Sequence, residues 1–339
     1  MMESEATRFE QSGTQERNLG MELVRVTEAA ALSAGRWMGK GNKETVDQSA
    51  VDAMRRALDG VDMSGVVVIG EGEKDEAPML YIGETVGNGA PPEVDVAVDP
   101  VDGTRLLALG LPGALAVVAT AERGSMYSAP PGVFYMEKIA VGAAFKNMVD
   151  INAPVVVNLD RIARTRDAHM DDIAVVVLDR PRHQELIRQI REAGARIRLI
   201  SDGDVAAAIQ AAMEEYTGID VLMGIGGAPE AVLAAAALKC LGGEIQCKIW
   251  PRNEQEREKF KADGIDIERV YRTDDLVKGD DVAFAATGIT TGEMLDGVQY
   301  FGWGARTASI MMRSRSGTVR YIQARHHWRK RNMKGPATS

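Results

Sequence analysis

The stretch "VDVAVDPVDGTRLLALG", Val94 to Gly110, alternates before it turns. Val94, Val96 and Val98 recur with a period of two, which places them on one face of a strand. Asp99 then projects from the opposite face as the strand ends. Pro100 has no backbone N–H, so it is predicted to stop the ladder. Asp102-Gly103-Thr104 follows and reads as a turn into a helix. Asp99 and Asp102 repel each other when both are ionised, and a bare Asp-Pro-x-Asp-Gly turn does not require the second charge. A hard cation held through carboxylate oxygens removes that repulsion. Gly103 lets the backbone approach a ligand, and N–H groups at a helix start suit an anion.

Two other stretches have the same construction. "VVVIGEGEKDEAPMLY", Val66 to Tyr81, runs from a short apolar strand straight into Glu71, Glu73, Asp75 and Glu76. Acids that follow an apolar strand stand where open α/β sheets form their ligand crevices. Glu71, nearest the strand, is the candidate ligand, and Asp75 is placed to act as a base or an orienting group. "GIGGAPE", Gly224 to Glu230, joins the strand "DVLM" to an alanine-rich helix. A G-x-G-x-x-G dinucleotide loop fails here, because Pro229 takes the place of the last glycine. Pro229 suits a first helical turn, and Glu230 beside it suits either the helix N-terminus or a metal.

With 339 residues, 45% of them hydrophobic, the chain can bury a large core. Its net charge of -9 argues against a general nucleic-acid surface. No run approaches the roughly 20 apolar residues of a membrane span, and the polar N-terminus has no signal segment. The two cysteines, Cys240 and Cys247, form no C-x-x-C pair and read as reduced thiols of a cytoplasmic protein.

The chain divides into a tail over residues 1–17, a metal-binding lobe over 18–170, an α/β lobe over 171–325 and a basic tail over 326–339. Helices are predicted over "LGMELVRVTEAAALSAGRWMG" and "KETVDQSAVDAMRRALDG". The second has Val46, Ala50, Val51, Met54 and Leu58 on one face and Asp47 in its first turn. "ALAVVATA", "KIAVGAAF" and "VVVN" read as strands. From about residue 171 strands alternate with helices, which predicts a covered parallel sheet. "DVAFAATGI", "TASIMMRS" and "TVRYIQAR" read as later strands.

"IGEGEKDEAPMLYIGE", "AVDPVDGTRL" and "GIGGAPE" together resemble the class II fructose-1,6-bisphosphatases, the GlpX type. These belong to the lithium-sensitive sugar-phosphatase and inositol-phosphatase group. "FYMEKIAVG", "LDRPRH" and "SDGDVAAAI" fit the same family, and the likeness spans nearly the whole chain. It implies an α/β sugar-phosphatase fold, a layered α-β-α-β-α sandwich with two lobes. It implies hydrolysis of the 1-phosphate of fructose 1,6-bisphosphate in gluconeogenesis with Mn²⁺ or Mg²⁺, by a homo-oligomer of two or four copies.

Carried over by motif, Asp47 and Glu71 hold one metal, and Asp99, Asp102 and Glu230 a second. Asp102 stands where some relatives have Glu. Asp75 and Thr104 match catalytic positions, where they orient or deprotonate a water. Asp102, Gly103, Thr104, Tyr135, Arg180, Pro181, Arg182, Asp202, Gly203, Asp204 and Gly227 match substrate contacts. From the residues alone, Asp47 also reads as a first-turn acid, Tyr135 as core packing, Arg180 and Arg182 as surface residues, and Asp202 and Asp204 as helix caps. His183 reads as a turn or helix-start residue. The alternatives are a phosphatase that also takes sedoheptulose 1,7-bisphosphate, another enzyme of the inositol-phosphatase group, or a sugar-phosphate sensor without turnover.

Overall fold

The computed structural model describes residues 16–72 and 79–328. In chain order the elements are α1 (Glu16–Ala34), α2 (Lys43–Leu58), β1 (Ser64–Ile69), β2 (Thr85–Val86), β3 (Glu93–Asp102), α3 (Thr104–Leu109), β4 (Leu115–Glu122) and β5 (Tyr135–Val141). There follow α4 (Val155–Arg166), β6 (Ala174–Leu178), α5 (Gln184–Ala193), β7 (Arg196–Ile200), α6 (Asp204–Ala212), α7 (Glu214–Thr217), β8 (Val221–Gly227) and α8 (Ala228–Leu241). The remainder are β9 (Glu244–Ile249), α9 (Glu254–Ala262), β10 (Tyr271–Arg272), α10 (Thr273–Leu276), β11 (Ala283–Gly288), β12 (Gln299–Phe301), β13 (Gly304–Arg313) and β14 (Thr318–His327).

The strands form two sheets. The first has the order β12-β13-β11-β4-β3-β1-β2, with β14 paired to β13; the second has the order β10-β9-β5-β8-β6-β7. Helices α1 and α2 cover the outer face of the first sheet. There Val94, Val96 and Val98 of β3 meet Leu23, Met54 and Leu58. Helix α2 buries the face its spacing predicted, Val46, Ala50, Val51, Met54 and Leu58. Helices α6 and α8 lie between the sheets and touch both. Helix α8 is buried on every side, from Ala231 through Leu238. A helix apolar all round belongs inside, and its run of alanines lets two sheets close on it. Helices α4 and α5 cover the far face of the second sheet, with Leu159, Ile162, Ile187 and Ile190 against Ile139, Val175 and Val221. The result is α-β-α-β-α, as the resemblance implied.

Expectations change at several points. Strand β3 does not stop at Pro100 but continues to Asp102, with a break in register between Asp99 and Asp102. The extra residue is a bulge, where a proline costs no ladder bond. "VVVN" is the first turn of α4, not a strand. Pro154 caps that helix, and the helical period turns Asn158, Leu159, Ile162 and Ala163 inward, so burial overrides the β-preference of three valines. The second sheet is mixed rather than parallel: β6 runs parallel to β7 and β8, while β5 is antiparallel to β8 and β9. Strand β5 sits inside the second sheet, and β11, β13 and β14 complete the first. The last strand runs through His327. No helix among the described residues is long and apolar enough to cross a membrane.

Candidate active site

The bulge in β3 answers the question raised by its two acids. Asp99 is opposite Val117 of β4, and Asp102 is opposite Leu115. Val117 and Leu115 share one face of β4, the face toward the middle layer. One extra residue on β3 restores the parity that a three-residue step would break. Asp99 and Asp102 therefore leave the strand on the same side.

That side is a cavity of about 660 Å³ between the sheets. Glu71, Asp99, Asp102, Gly103 and Thr104 line it from the first sheet. Tyr135, Arg180, Arg182, Asp202, Gly203, Asp204, Gly227 and Glu230 line it from the second sheet and the middle helices. Strand ends and helix starts thus supply nearly every sequence-predicted residue. Asp47 joins from α2, where it accepts a hydrogen bond from the Thr104 hydroxyl at 2.8 Å. Pro181 does not line the cavity; it is exposed and opens the turn before α5. Asp75, expected beside Thr104, lies outside the described residues together with Glu73 and Glu76.

The electrostatics are those of crowded carboxylates. Glu71 is exposed as a residue, yet burial of its carboxyl, then the charges of Asp47 and Glu230, push its pKa up to about 7. Burial first, then the charge of Asp102, holds Asp99 well above the usual carboxylate range. Burial and the charge of Asp204 do the same to Asp102, although the amide of Ala206 donates to Asp102 Oδ2 at 3.1 Å. Glu230 is raised by burial and by Asp204, and Asp47 by burial. Each shift marks a charge that the fold leaves short of compensation.

These residues fit a cation. Glu230 Oε2 is shut off from solvent with no hydrogen-bond partner among the described residues, and a buried orphan acceptor is costly. The donors are carboxylate oxygens without sulfur or imidazole, which selects hard divalent ions. No three acids among the described residues are already closed to the spacing of a finished cage.

The glycines of "GIGGAPE" have a steric role. Gly226 and Gly227 belong to β8. An added Cβ at Gly227 would stand 2.6 Å from Glu230 Cδ, and one at Gly226 would stand 2.9 Å from both Asp204 Cγ and Lys138 Nζ. The chain is bare where two carboxylates lie over it.

The cationic end is also built. Arg182 donates from Nε and Nη2 to the Ile225 carbonyl at 3.1 and 2.7 Å, and its guanidinium lies 5.2 Å from the Tyr135 ring centroid. Arg180 stands 3.6 Å from Asp202. Asp202 Oδ2 accepts from the amide of Arg105 at 3.3 Å, so one of the N–H groups after Gly103 already has a carboxylate partner. His183 is structural. It is fully buried, its Nδ1 is 2.6 Å from the Leu178 carbonyl, and its Nε2 accepts from the Ile225 amide at 2.7 Å. Burial lowers its pKa and keeps it neutral.

Sequence reasoning missed Lys138, which is buried and paired with Asp204 at 2.7 Å. Its position gave a signal: on β5 it shares the inward face with Met136 and Ala140, where an unpaired lysine does not belong.

Known proteins resemble this chain along most of its length. The profile of the family described as bacterial fructose-1,6-bisphosphatase, glpX-encoded, matches residues 17–326. A D-fructose 1,6-bisphosphatase class 2/sedoheptulose 1,7-bisphosphatase from Synechococcus sp. (strain JA-2-3B'a(2-13)) is 46% identical over 336 residues, covering 92% of this chain and 96% of its own. The protein of the same name from Trichodesmium erythraeum (strain IMS101) is 46% identical over 333 residues, covering 91% and 96%. Among solved structures, the extragenic suppressor protein suhB from Bartonella henselae matches with a TM-score of 0.29 and 17% identity, over 55% of this chain and 71% of its own. So loose a superposition carries no argument. The profile and the curated relatives, each spanning nine-tenths of the chain, lead to one conclusion: the chain belongs to the GlpX-type, class II fructose-1,6-bisphosphatase family.

Proposed function

We propose that the chain hydrolyses the 1-phosphate of fructose 1,6-bisphosphate at the cavity between its sheets, giving fructose 6-phosphate and inorganic phosphate. Family membership carries the activity. The Thr104–Asp47 hydrogen bond, set beside four crowded acids, carries the assignment of the reacting end.

Asp47 and Glu71 would hold one divalent ion, and Asp99, Asp102 and Glu230 a second, Mn²⁺ or Mg²⁺ in either place. When bound, such ions neutralise phosphoryl oxygens and lower the pKa of a water. The chain's own residues do the rest. Asp47 Oδ1 takes the Thr104 proton in a hydrogen bond, which leaves the lone pairs of Thr104 Oγ1 to accept from the attacking water. The 2.8 Å contact makes Asp47 the proton acceptor of the pair. This reading gives Thr104 to Asp47 and leaves Asp75 a supporting role in orienting the water.

Arg180 and Arg182 anchor the remote phosphate. Arg182 is already fixed by the Ile225 carbonyl and the Tyr135 ring, so it loses little freedom when it grips an anion. Asp202 and Asp204 face the sugar between the two ends. Such remote contacts set the position of the reacting phosphate.

The relatives' names add a second activity, on sedoheptulose 1,7-bisphosphate. One longer sugar would lie between the same two charged ends. The reading extends to a cytoplasmic homo-oligomer of two or four copies. The test is phosphate release from each bisphosphate and from an inositol monophosphate, by chelated protein before and after Mn²⁺ or Mg²⁺ is added. Activity on fructose 1,6-bisphosphate that returns with the metal is expected. Full activity after thorough chelation would reject the cation sites, and substrate binding without turnover would make the chain a sensor.

A further inference from the structure

The cavity holds two carboxylates that the proposed metal sets do not use, Asp202 and Asp204, and the second has its own buried cation. Asp204 is the first residue of α6, buried, and close enough to Asp102 and Glu230 for its charge to raise both. An acid so placed could ligate a hard cation. It is instead turned onto Lys138, whose Nζ is 2.7 Å from Asp204 Oδ2. Lys138 is 3% exposed and stands at the centre of the second sheet, opposite Gly224 of β8 and Cys247 of β9. Gly226 leaves the space the pair fills, since a Cβ there would stand 2.9 Å from the ammonium and closer still to the carboxylate oxygen. A strand interior that spends a glycine on an ion pair is built around that pair.

We propose that Lys138 is a positioning residue. Its ammonium takes the place of a further cation beside Asp204, keeps that acid out of the metal-ligating set, and fixes it in the orientation that meets the sugar hydroxyls. The chemistry favours a lysine over a metal at this spot. An ammonium compensates one charge through hydrogen bonds and offers no open coordination position for a water or a carboxylate. The assignment of the sugar to Asp204 rests on the function proposed above; the exclusion of a metal from Asp204 does not.

The experiment compares Lys138→Met with the double variant Lys138→Met/Asp204→Asn in the full chain. Mn²⁺ binding is followed by calorimetry without substrate, and kcat and KM are measured separately. In Lys138→Met, Asp204 is left without its cation. The expected result is one additional Mn²⁺ equivalent per chain, or at least about tenfold tighter Mn²⁺ binding at one site, which disappears in the double variant. KM for fructose 1,6-bisphosphate should rise at least about tenfold in both variants, with kcat changed much less, because the reacting end is intact. A general loss of packing would lower stability without altering the number of bound ions. Should Lys138→Met not fold, the double variant leaves no buried unpaired charge and still reports KM. Unchanged Mn²⁺ stoichiometry and affinity in folded Lys138→Met, or an unchanged KM in the double variant, would overturn the assignment. Wild-type protein without bisphosphatase activity would defeat the functional reading alone, because the Mn²⁺ titration stands without a substrate.

Discussion

Replacing Gly227 by alanine tests the metal site without touching a ligand. Gly227 has φ -66° and ψ 147°, which any L-residue adopts without strain. The nearest obstacle to a methyl group is Glu230. The new Cβ would stand 2.6 Å from Glu230 Cδ and nearer still to Oε2, against 3.4 Å or more in ordinary contact. The carboxylate must therefore retreat by at least about 0.8 Å, and ligand distances tolerate only about 0.2 Å. Backbone N–H groups and the β8 ladder stay in place, so the fold should hold and the melting temperature should move by only a few degrees. If Glu230 holds a metal, its displacement should weaken Mn²⁺ binding by roughly 10- to 100-fold, the range seen when groups that orient ligands are lost.

The assay is phosphate release from fructose 1,6-bisphosphate across a Mn²⁺ titration, with the half-saturating concentration as readout and calorimetry as a check. Gly302→Ala is the control, since a Cβ there meets nothing within 4 Å. Metal dependence unchanged in Gly227→Ala, with the variant folded, would refute either the packing of Glu230 over Gly227 or its place as a ligand. Glu230→Gln decides between the two: if it alone weakens the metal, the packing argument fails.

Other consequences can be measured directly. Thr104→Ala removes the 2.8 Å bond to Asp47, and turnover should fall about a hundredfold at nearly constant KM, as stopped assays at saturating substrate would show. Turnover near wild type would remove Thr104 from the proton path. His183→Ala strands the Ile225 amide and the Leu178 carbonyl, so urea unfolding should report a loss of roughly 3 kcal/mol. Because the folded pKa of His183 lies below its ordinary 6.5, its contribution is complete above that value and falls as pH drops through 6.5; the His183→Ala variant should lose that slope. Glu71 has the opposite sign, with its carboxyl raised from 4.5 to about 7. Its contribution to metal-free stability is complete below pH 4.5 and is lost as pH rises through 7. Chelated protein should therefore melt progressively earlier across that window, less steeply in Glu71→Gln, and saturating Mn²⁺ should cancel the fall. Identical pH slopes in Glu71→Gln and wild type would contradict it.

Local pattern carried most of the architecture. The period of α2 named its buried face residue for residue, and the acids after β1 and β3 pointed to the crevice. What escaped depends on contacts between distant segments. Thr104 finds Asp47, 57 positions away, and no short motif records that pairing. "VVVN" carries strand propensity, but its conformation is decided by what Leu159 and Ile162 cover in the second sheet. Pro100 looked like a terminator because a bulge cannot be read from one strand; it is a relation between two. Lys138 was legible in principle, as a charge on an apolar strand face, but only its partner from α6 explains it.

The cavity is lined by both charges: Asp99, Asp102, Glu71 and Glu230 on the acidic side, and Arg180 and Arg182 as cations. A sugar bisphosphate carries similar charges at both ends, so phosphate recognition alone cannot decide which end reacts. Cations among the carboxylates would attract either phosphate, and so would the guanidinium pair. The choice must come from groups that touch neither phosphate and differ along the sugar. On the proposed reading Asp202 and Asp204 would meet that middle part, each held by a neighbour: the Arg105 amide for Asp202 and the Lys138 ammonium for Asp204. Rigid acceptors discriminate between hydroxyl patterns because a misplaced hydroxyl finds no acceptor within reach. Choice of phosphate, and tolerance of a longer sugar, would then reside in how firmly those two acids are held rather than in the metal site.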